Sequence, residues 1–251
     1  MVHFVGAGCG AADLITVRGK RLIEEADVII YAGSLVSEEL LSDAKPGCAL
    51  HNSAKMHLEE VIEVIKSAES MGKMTVRLHT GDPSIYGAIR EQMDRLDALG
   101  IAYDVCPGVS SFCGAAAALH AEYTLPGVSQ TVILTRMAGR TPVPERESIR
   151  SLASHHATMV IFLSASMLCD VSAQLIDGGY APETPAAIVY RATWADERVL
   201  RCTVAELAET AQAGGIYKHA LICVGNFLGD NYELSKLYDA RFETEFRRAQ
   251  P

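Results

Sequence analysis

Short apolar runs alternate with stretches of helical periodicity over the first half of the chain. VHFVGAG (2–8) predicts a buried strand that enters a glycine-rich turn, and residues 16–26 follow a helical pattern. The same reading predicts strands at 26–32, 74–80 and 102–108, and helices from Leu58, over 85–96 and over 111–120. Strands that alternate with helices pair in parallel, so this half predicts a mostly parallel sheet covered by helices.

The pattern breaks at EYTLPGVSQ (122–130), which is interpreted as a linker, and a second set of elements follows. Its strands are predicted at 131–135, 158–164, 186–192, 198–204 and 219–225, and its helices at 145–153, 166–177 and 204–213. ATWADERV separates two of these strands in the manner of a hairpin, so the second sheet is predicted to be mixed. The chain is therefore predicted to hold two α/β domains, 1–121 and 131–228, with a polar tail over 229–251.

Composition and charge narrow the possible functions. With 251 residues, of which 49% are hydrophobic, the chain can bury substantial cores, and no apolar run approaches the roughly 20 residues that span a bilayer. The start of the chain has no signal-peptide pattern and the seven cysteines are scattered, so we expect a cytoplasmic protein without disulfides or bound metal. A net charge of −9 argues against a nucleic-acid partner. It also means that an anionic ligand needs a local basic cluster or helix N-termini.

Two glycine-containing turns at predicted strand ends are candidate ligand loops. GAGCG (6–10) permits close approach of a ligand to the backbone, although a tight turn without a ligand explains it equally well. In HTGDPSIYG (79–87), Asp82 and Pro83 fit a helix N-cap followed by proline. Thr80 and Gly81, at the carboxyl end of a buried strand, favour a ligand loop, because ligands gather at such ends in α/β sheets.

Two further segments carry polar groups that suit an anion. In PGVSSF (107–112), Ser110 or Ser111 can cap a helix of small residues and leave backbone donors for a carboxylate. Arg136 and Arg140 lie in a loop rich in glycine and proline (136–144) and suit capture of a carboxylate or phosphate. Solvent-exposed arginines remain the alternative interpretation.

These turns, in this order, resemble the tetrapyrrole (corrin/porphyrin) methyltransferase family. The strings that carry the resemblance are GAGCG, DLITVRG, YAGSLV, HTGDPSIYG, PGVSSF and VIFLSAS, and the similarity extends from about residue 1 to about residue 226. QTVILTRMAGRTPVPE and YRATWADE are similar to the branch that methylates ring carbon 11 of a precorrin on the route to vitamin B12. The resemblance implies two α/β domains with a ligand cleft between them, S-adenosylmethionine (SAM) as methyl donor, and a homodimer.

The resemblance also implies a set of site residues. Those expected to bind the donor are Cys9, Gly81, Asp82, Ile85, Tyr86, Ser110, Ser111, Phe112, Leu163, Ala192, Gly225 and Asn226. The expected ring is a polycarboxylate, so the candidates that anchor it are Arg18, Arg136, Arg140 and Arg191. The sulfonium donor is already activated, so alignment and exclusion of water are the main tasks, and Asp82 or His79 is a candidate for proton transfer.

Alternative functions stay open at this stage. The same fold can act on another tetrapyrrole, such as uroporphyrinogen III or another precorrin, and a module that binds SAM or a tetrapyrrole without catalysis is possible. A nicotinamide-dependent oxidoreductase is disfavoured, because GAGCG lacks the third glycine and no ribose-binding acid follows the second strand. The sequence does not discriminate between a cobalt-containing and a metal-free ring.

Overall fold

The computed structural model describes residues 1–33 and 35–249, which group into two compact units. The first unit comprises residues 1–118 with 191–198, and the second comprises 119–190 with the described residues from 199 onward. Ser34 of the YAGSLV string and Gln250 and Pro251 of the predicted tail lie outside the described residues. Within the described ranges, no helix has the length and apolarity needed to cross a membrane.

The first unit is built on five parallel strands. They are Val2–Gly6 (β1), Val28–Tyr31 (β2), Ala49–Asn52 (β3), Thr75–His79 (β4) and Tyr103–Cys106 (β5), in the sheet order β3-β2-β4-β1-β5. The helices of this part of the chain are Val17–Glu25 (α1), Glu38–Ser42 (α2), Leu58–Ser70 (α3), Ile89–Leu99 (α4) and Ser111–Leu119 (α5). The predicted parallel sheet is confirmed.

Two hydrophobic cores lie on opposite faces of this sheet, because successive side chains of a strand point to opposite sides. Val5 and Leu78 pack with residues of α1 and α2 on one face. Phe4 and Ile30 pack with residues of α3 and α4 on the other. The sheet is covered on both faces, which leaves the carboxyl ends of its strands for the loops that carry the candidate site.

The second unit has a mixed five-stranded sheet, as predicted. Its strands are Val132–Arg136 (β6), Thr158–Phe162 (β7), Pro185–Tyr190 (β8), Arg198–Thr203 (β9) and Ala220–Val224 (β10), in the order β6-β7-β10-β8-β9. The pair β6–β7 is parallel, whereas β10 is antiparallel to β7 and to β8. Helices Ile149–Ala153 (α6), Leu168–Asp177 (α7) and Leu207–Ala213 (α8) accompany it, with a core that includes Ile161 and Leu175.

The structure corrects several element boundaries. Strand β3 was not predicted, since ALHN is a half-exposed edge strand without apolar alternation. The helix predicted over 85–96 begins only at Ile89, because Ala88 has φ +49° and a side chain on Gly87 would lie 2.1 Å from the carbonyl oxygen of Pro83. The helix predicted over 145–153 is a 3₁₀ turn at 145–147 followed by α6, and the last predicted helix begins at Leu207 rather than at 204.

The described part of the predicted tail, 229–249, wraps around one arginine. An Nη of Arg247 donates to the carbonyl oxygens of Leu237 and Asp239, at 2.8 Å each. Arg241 pairs with Asp239 at 3.0 Å. The domain limits 1–121, 122–130, 131–228 and 229–251 stay a prediction, while contacts within the chain group residues 191–198 with the first unit.

Candidate active site

Three backbone turns are packed against each other at the carboxyl ends of β1, β4 and β5. The N–H of Gly81 donates to the carbonyl of Gly8 at 2.9 Å, and the N–H of Gly8 donates back at 3.3 Å. A Cβ on Gly108 would lie 2.2 Å from the carbonyl oxygen of Gly81 and 2.7 Å from the Cα of Gly6. Main chain therefore lies directly on main chain, which only glycine permits.

Asp82 ties the loop after β4 to the loop after β5. Its Oδ2 accepts a hydrogen bond from the N–H of Gly108 at 2.8 Å, and its Oδ1 accepts from the N–H of Ser84 at 2.8 Å and from the Ser84 hydroxyl. Burial alone would raise the pKa of Asp82, but these hydrogen bonds together lower it below its ordinary value. Asp82 is therefore a carboxylate at neutral pH and a weak base.

The N-cap role considered for Asp82 is wrong. Helix α4 begins at Ile89, and its N-cap residue is Ala88. Asp82 instead closes a turn with Ser84, the short-range bonding that aspartate favours in turns.

The loop that follows β4, residues 80–88, carries four of the predicted donor contacts. Gly81 is buried with φ +63°, Ile85 is partly buried, and Tyr86 is exposed with φ +56°. A left-handed conformation costs a non-glycine residue about 1–2 kcal/mol, and such strain concentrates at functional sites. The loop thus has the backbone character of a ligand loop rather than of a simple connection.

The start of α5 lies beside this loop. A Cβ on Gly81 would lie 3.5 Å from the Cα of Ser110 and 3.5 Å from the backbone nitrogen of Ser111. Ser110 is buried, and Ser111 and Phe112 are partly buried in the first turn of the helix. The structure therefore brings together the predicted residues of the two loops, and Gly108 joins them through Asp82.

His79 does not have the character of a base. Its side chain is 3% exposed beneath the loop, with its ring centroid 6.0 Å from that of Phe4. Burial, with a smaller contribution from the charge of Arg77, lowers the pKa of His79 to about 3. The imidazole is therefore neutral at physiological pH, and its conjugate acid is too strong for His79 to accept a proton from a reacting ring.

This burial predicts acid sensitivity. Below pH 6.5 the imidazole of His79 is protonated in the unfolded chain, whereas in the folded chain it stays neutral down to about pH 3. The free energy of unfolding therefore falls as the pH falls through that window. Between pH 7 and 4.5 the wild type should lose about 2–3 kcal/mol more than His79→Phe does. Urea unfolding of both proteins at the two pH values measures this difference. Parallel losses would show that His79 is not the acid-sensitive group.

Residues 191–198 pack onto the first glycine turn, which sequence reasoning did not foresee. A Cβ on Gly10 would lie 2.4 Å from Cδ1 of Trp194, so the indole lies flush against the turn. The N–H of Ala11 donates to Oγ1 of Thr193 at 3.1 Å, and the same hydroxyl lies 3.5 Å from Sγ of the buried Cys9. Trp194 therefore forms part of the wall of this turn.

Arg191 and Ala192 lie on the same segment. Arg191 was expected to anchor the ring and Ala192 to contact the donor, but Arg191 is already ion-paired and Ala192 is buried. An Nη of Arg191 pairs with Asp196 at 2.7 Å, and its guanidinium carbon lies 4.2 Å from the centroid of the Trp194 ring. Ala192 is buried next to it, and a Cβ on Gly10 would lie 2.7 Å from its carbonyl oxygen. The charge of Arg191 is thus already neutralised by a carboxylate, whereas Arg18 lies exposed on α1.

In the second unit, the Arg136 side chain is hydrogen-bonded to the backbone of the loop that follows it. Its guanidinium donates to the carbonyl oxygens of Met137 at 3.2 Å, Thr141 at 3.3 Å and Pro142 at 2.9 Å. These bonds shape the loop 137–144 and leave Arg140 exposed on it. Of the two predicted ring anchors in this loop, Arg140 is the one presented to solvent.

Two residues predicted to contact the donor, Leu163 after β7 and Gly225 after β10, have positive φ angles. Leu163 has φ +55° and is 68% exposed, an unusual state for a large apolar side chain. The next residue, Ser164, is fully buried, accepts from the N–H of Met137 at 2.9 Å and donates to the carbonyl of Phe162 at 2.7 Å. Gly225 has φ +140°, and Asn226 beside it is exposed.

Known proteins resemble this chain over most of its length. Residues 1–208 match the family model for Tetrapyrrole (Corrin/Porphyrin) Methylases. The chain is 55% identical over 249 residues to a cobalt-precorrin-4 C(11)-methyltransferase of Methanocaldococcus jannaschii, covering 99% of this chain and 96% of that protein.

Solved structures extend the likeness to the fold. An X-ray structure of a cobalt precorrin-4 methyltransferase has a TM-score of 0.89 and 46% identity, over 91% of this chain and 96% of the other. A uroporphyrin-III C-methyltransferase of Thermus thermophilus, solved with S-adenosyl homocysteine, has a TM-score of 0.74 and 26% identity over 90% and 92%. The resemblance drawn from the turns is confirmed, and the chain belongs to the tetrapyrrole (corrin/porphyrin) methylases.

Proposed function

We propose that this chain transfers a methyl group from SAM to ring carbon 11 of precorrin-4, in its cobalt-containing form, on the route to vitamin B12. The observation that carries the proposal is the 55% identity to a cobalt-precorrin-4 C(11)-methyltransferase over 99% of the chain. The solved enzyme named for uroporphyrin-III is only 26% identical over 90% of the chain. The higher sequence identity favours the precorrin-4 ring over that alternative.

The loops of the first unit fit a donor that carries a carboxylate and a ribose. Gly81 leaves open the space that a Cβ would fill beside Ser110 and Ser111, and backbone N–H groups and hydroxyls are the donors such a ligand needs. We assign donor binding to the residues predicted from the resemblance, namely Cys9, Gly81, Asp82, Ile85, Tyr86, Ser110, Ser111, Phe112 and Ala192 in the first unit and Leu163, Gly225 and Asn226 in the second.

When bound, SAM supplies a methyl group that its sulfonium has already activated for transfer. The protein's task is then to orient and to exclude water, which rigid turns do best. The reciprocal hydrogen bonds between Gly8 and Gly81 and the clasp by Asp82 make the turns rigid. Asp82, as a stabilised carboxylate, positions the loops and does not abstract a proton.

Arg140 is the residue that we assign to a ring carboxylate. The chain carries nine net negative charges, so an acidic ring must be held by local positive charge. Arg136 and Arg191 already donate to backbone carbonyls or to Asp196, whereas Arg140 is exposed on a loop that Arg136 shapes. Arg18 remains a second exposed candidate.

Arg140→Ala should raise the KM for the tetrapyrrole about tenfold, the loss of one charge-assisted hydrogen bond, and leave the Kd of SAM unchanged. Steady-state kinetics and calorimetric SAM binding measure the two quantities. Arg146→Ala, which removes an exposed arginine next to Glu147, is the matched control and should change neither. Equal effects of Arg140→Ala on ring and donor would remove Arg140 from the ring-anchor role.

The proposed reaction is tested by mass spectrometry with isotopically labelled SAM. The substrates are cobalt-precorrin-4, metal-free precorrin-4 and uroporphyrinogen III, and we expect one added methyl group on the cobalt-precorrin-4 ring. A folded protein that binds S-adenosylhomocysteine (SAH) but methylates neither precorrin-4 form would overturn the proposed function and favour a binding module.

The resemblance also leads us to propose a cytoplasmic homodimer. All seven cysteines are free thiols, as a reducing compartment allows. Sedimentation equilibrium should give twice the mass of one chain, and a monomer at micromolar concentration would contradict the dimer.

A further inference from the structure

A buried arginine stands in the middle of the first sheet. Arg77, on β4, is 7% exposed and projects to the face covered by α3 and α4. Its Nε donates to Oε1 of Gln92 at 3.0 Å, and an Nη donates to the carbonyl of Ile30 at 3.0 Å. The guanidinium thus joins β2, β4 and helix α4 inside the first unit.

Gln92 continues this connection to the loop 80–88. Its side chain is 5% exposed, and Nε2 donates to the carbonyl oxygen of Ala88 at 3.0 Å. Ala88 is the last residue of the loop and has φ +49°. A strained residue persists only where its surroundings hold it, and Gln92 supplies one such contact.

The direction of the Gln92 amide follows from Arg77. A guanidinium can only donate hydrogen bonds, so the amide oxygen must face Arg77 and the amide NH₂ must face the carbonyl of Ala88. Arg77 therefore acts on the loop through Gln92. The three groups form a relay, Arg77–Gln92–Ala88, that ends at the loop to which donor binding is assigned.

Burying the Arg77 guanidinium costs free energy of folding. A buried cation without a paired anion is strongly disfavoured, and in the described part of the chain Arg77 makes no ion pair with a carboxylate. Burial lowers the pKa of Arg77 only to about 10, so the side chain is charged at neutral pH. Apolar side chains of similar size often stabilise a core at least as well as buried charged groups do, so the pair points to a role beyond stability.

We propose that Arg77 and Gln92 are positioning residues that hold the loop 80–88 in the shape that binds SAM. The inference rests on the proposed assignment of donor binding to this loop. Neither residue touches the reacting atoms. Their effect is on donor affinity, through the backbone of Ala88 and the turn that precedes it.

Gln92→Glu separates positioning from folding. The carboxylate keeps the acceptor for Arg77 and adds the missing counter-charge, so the melting temperature should match or exceed that of the wild type. It removes the NH₂ donor and sets a second negative oxygen against the carbonyl of Ala88. We expect the Kd for SAH, measured by calorimetry, to rise about tenfold, with the KM for SAM rising in parallel and the KM for the tetrapyrrole unchanged.

Gln174→Glu is the matched control. The Gln174 side chain accepts from the N–H of Arg150 in the second unit, so this change adds the same charge without touching the relay, and SAH affinity should be unchanged. The double variant Arg77→Met with Gln92→Met removes the relay and leaves no buried donor unpaired. It should also weaken SAH binding about tenfold.

The outcomes separate the relay from the proposed function. A folded Gln92→Glu or double variant that binds SAH within twofold of the wild type overturns the inference. Failure of both variants to fold would show that the pair maintains the fold rather than the loop, and would also overturn it. A wild-type protein that binds no SAH would instead contradict the proposed function.

Discussion

Gly108→Ala is expected to lower the free energy of unfolding by about 3 kcal/mol or more and to abolish SAH binding in any folded fraction. The added Cβ would lie 2.2 Å from the carbonyl oxygen of Gly81, 2.7 Å from the Cα of Gly6 and 2.9 Å from the carbonyl carbon of Gly6. Both obstacles are main chain at the ends of central strands, so neither can move away without disturbing the sheet. Urea unfolding and calorimetric SAH binding measure the two effects.

Gly100→Ala is the control for this experiment. Gly100 ends α4 with φ +65°, and a Cβ there would meet no atom within 4 Å. The substitution should therefore cost only the left-handed strain, about 1–2 kcal/mol, and leave SAH affinity unchanged. If Gly108→Ala costs no more than Gly100→Ala, the close packing of the three turns does not limit the site.

Asp82→Ala is expected to weaken SAH binding about 30-fold, because hydrogen bonds to a charged group contribute roughly 1.5–3 kcal/mol. The substitution removes the acceptor for the N–H groups of Ser84 and Gly108, so the two loops lose their connection. The melting temperature should fall by only a few degrees, since the carboxylate is partly exposed and outside both cores. Calorimetry and thermal unfolding of the same preparation compare the two losses.

Asp94→Ala provides the comparison for Asp82→Ala. Asp94 pairs with Arg90 on the exposed face of α4, an ion pair that contributes at most about 0.5 kcal/mol. It should change neither SAH affinity nor, beyond this small amount, stability. An Asp82→Ala protein that is strongly destabilised but binds SAH normally when folded would make Asp82 a structural turn residue only.

Much of the architecture was predictable from local pattern. Short apolar runs identified the central strands, apolar spacing with a period of 3.6 identified helices, and the alternation of strands with helices indicated a parallel first sheet. The glycine turns at strand ends were selected as candidate ligand loops, because ligands gather at the carboxyl ends of strands in α/β sheets. That they bind a ligand stays a prediction. The family itself came from the order of these turns rather than from any physical property of a single one.

Side-chain partners were not predictable from the same pattern. Asp82 and Pro83 have the local signature of a helix start, but one oxygen of the Asp82 carboxylate accepts a hydrogen bond from the N–H of Gly108, 26 residues away. Arg136 was expected to be an open anchor, and three carbonyls of its own loop engage it instead. Local spacing shows which groups are polar, whereas their partners depend on how distant segments pack.

The sequence by itself determined the α/β class, the mixed second sheet, the family and the loops on which donor contacts are expected, because each depends on short-range periodicity or on a string of neighbouring residues. Only the tertiary structure decided that His79 is a buried neutral imidazole, that Trp194 lies against Gly10, and that Arg77 reaches Ala88 through Gln92. These relations join residues on different strands, helices and loops. Burial, desolvation and hydrogen-bond partners are properties of that packing, so they do not exist until the chain has folded.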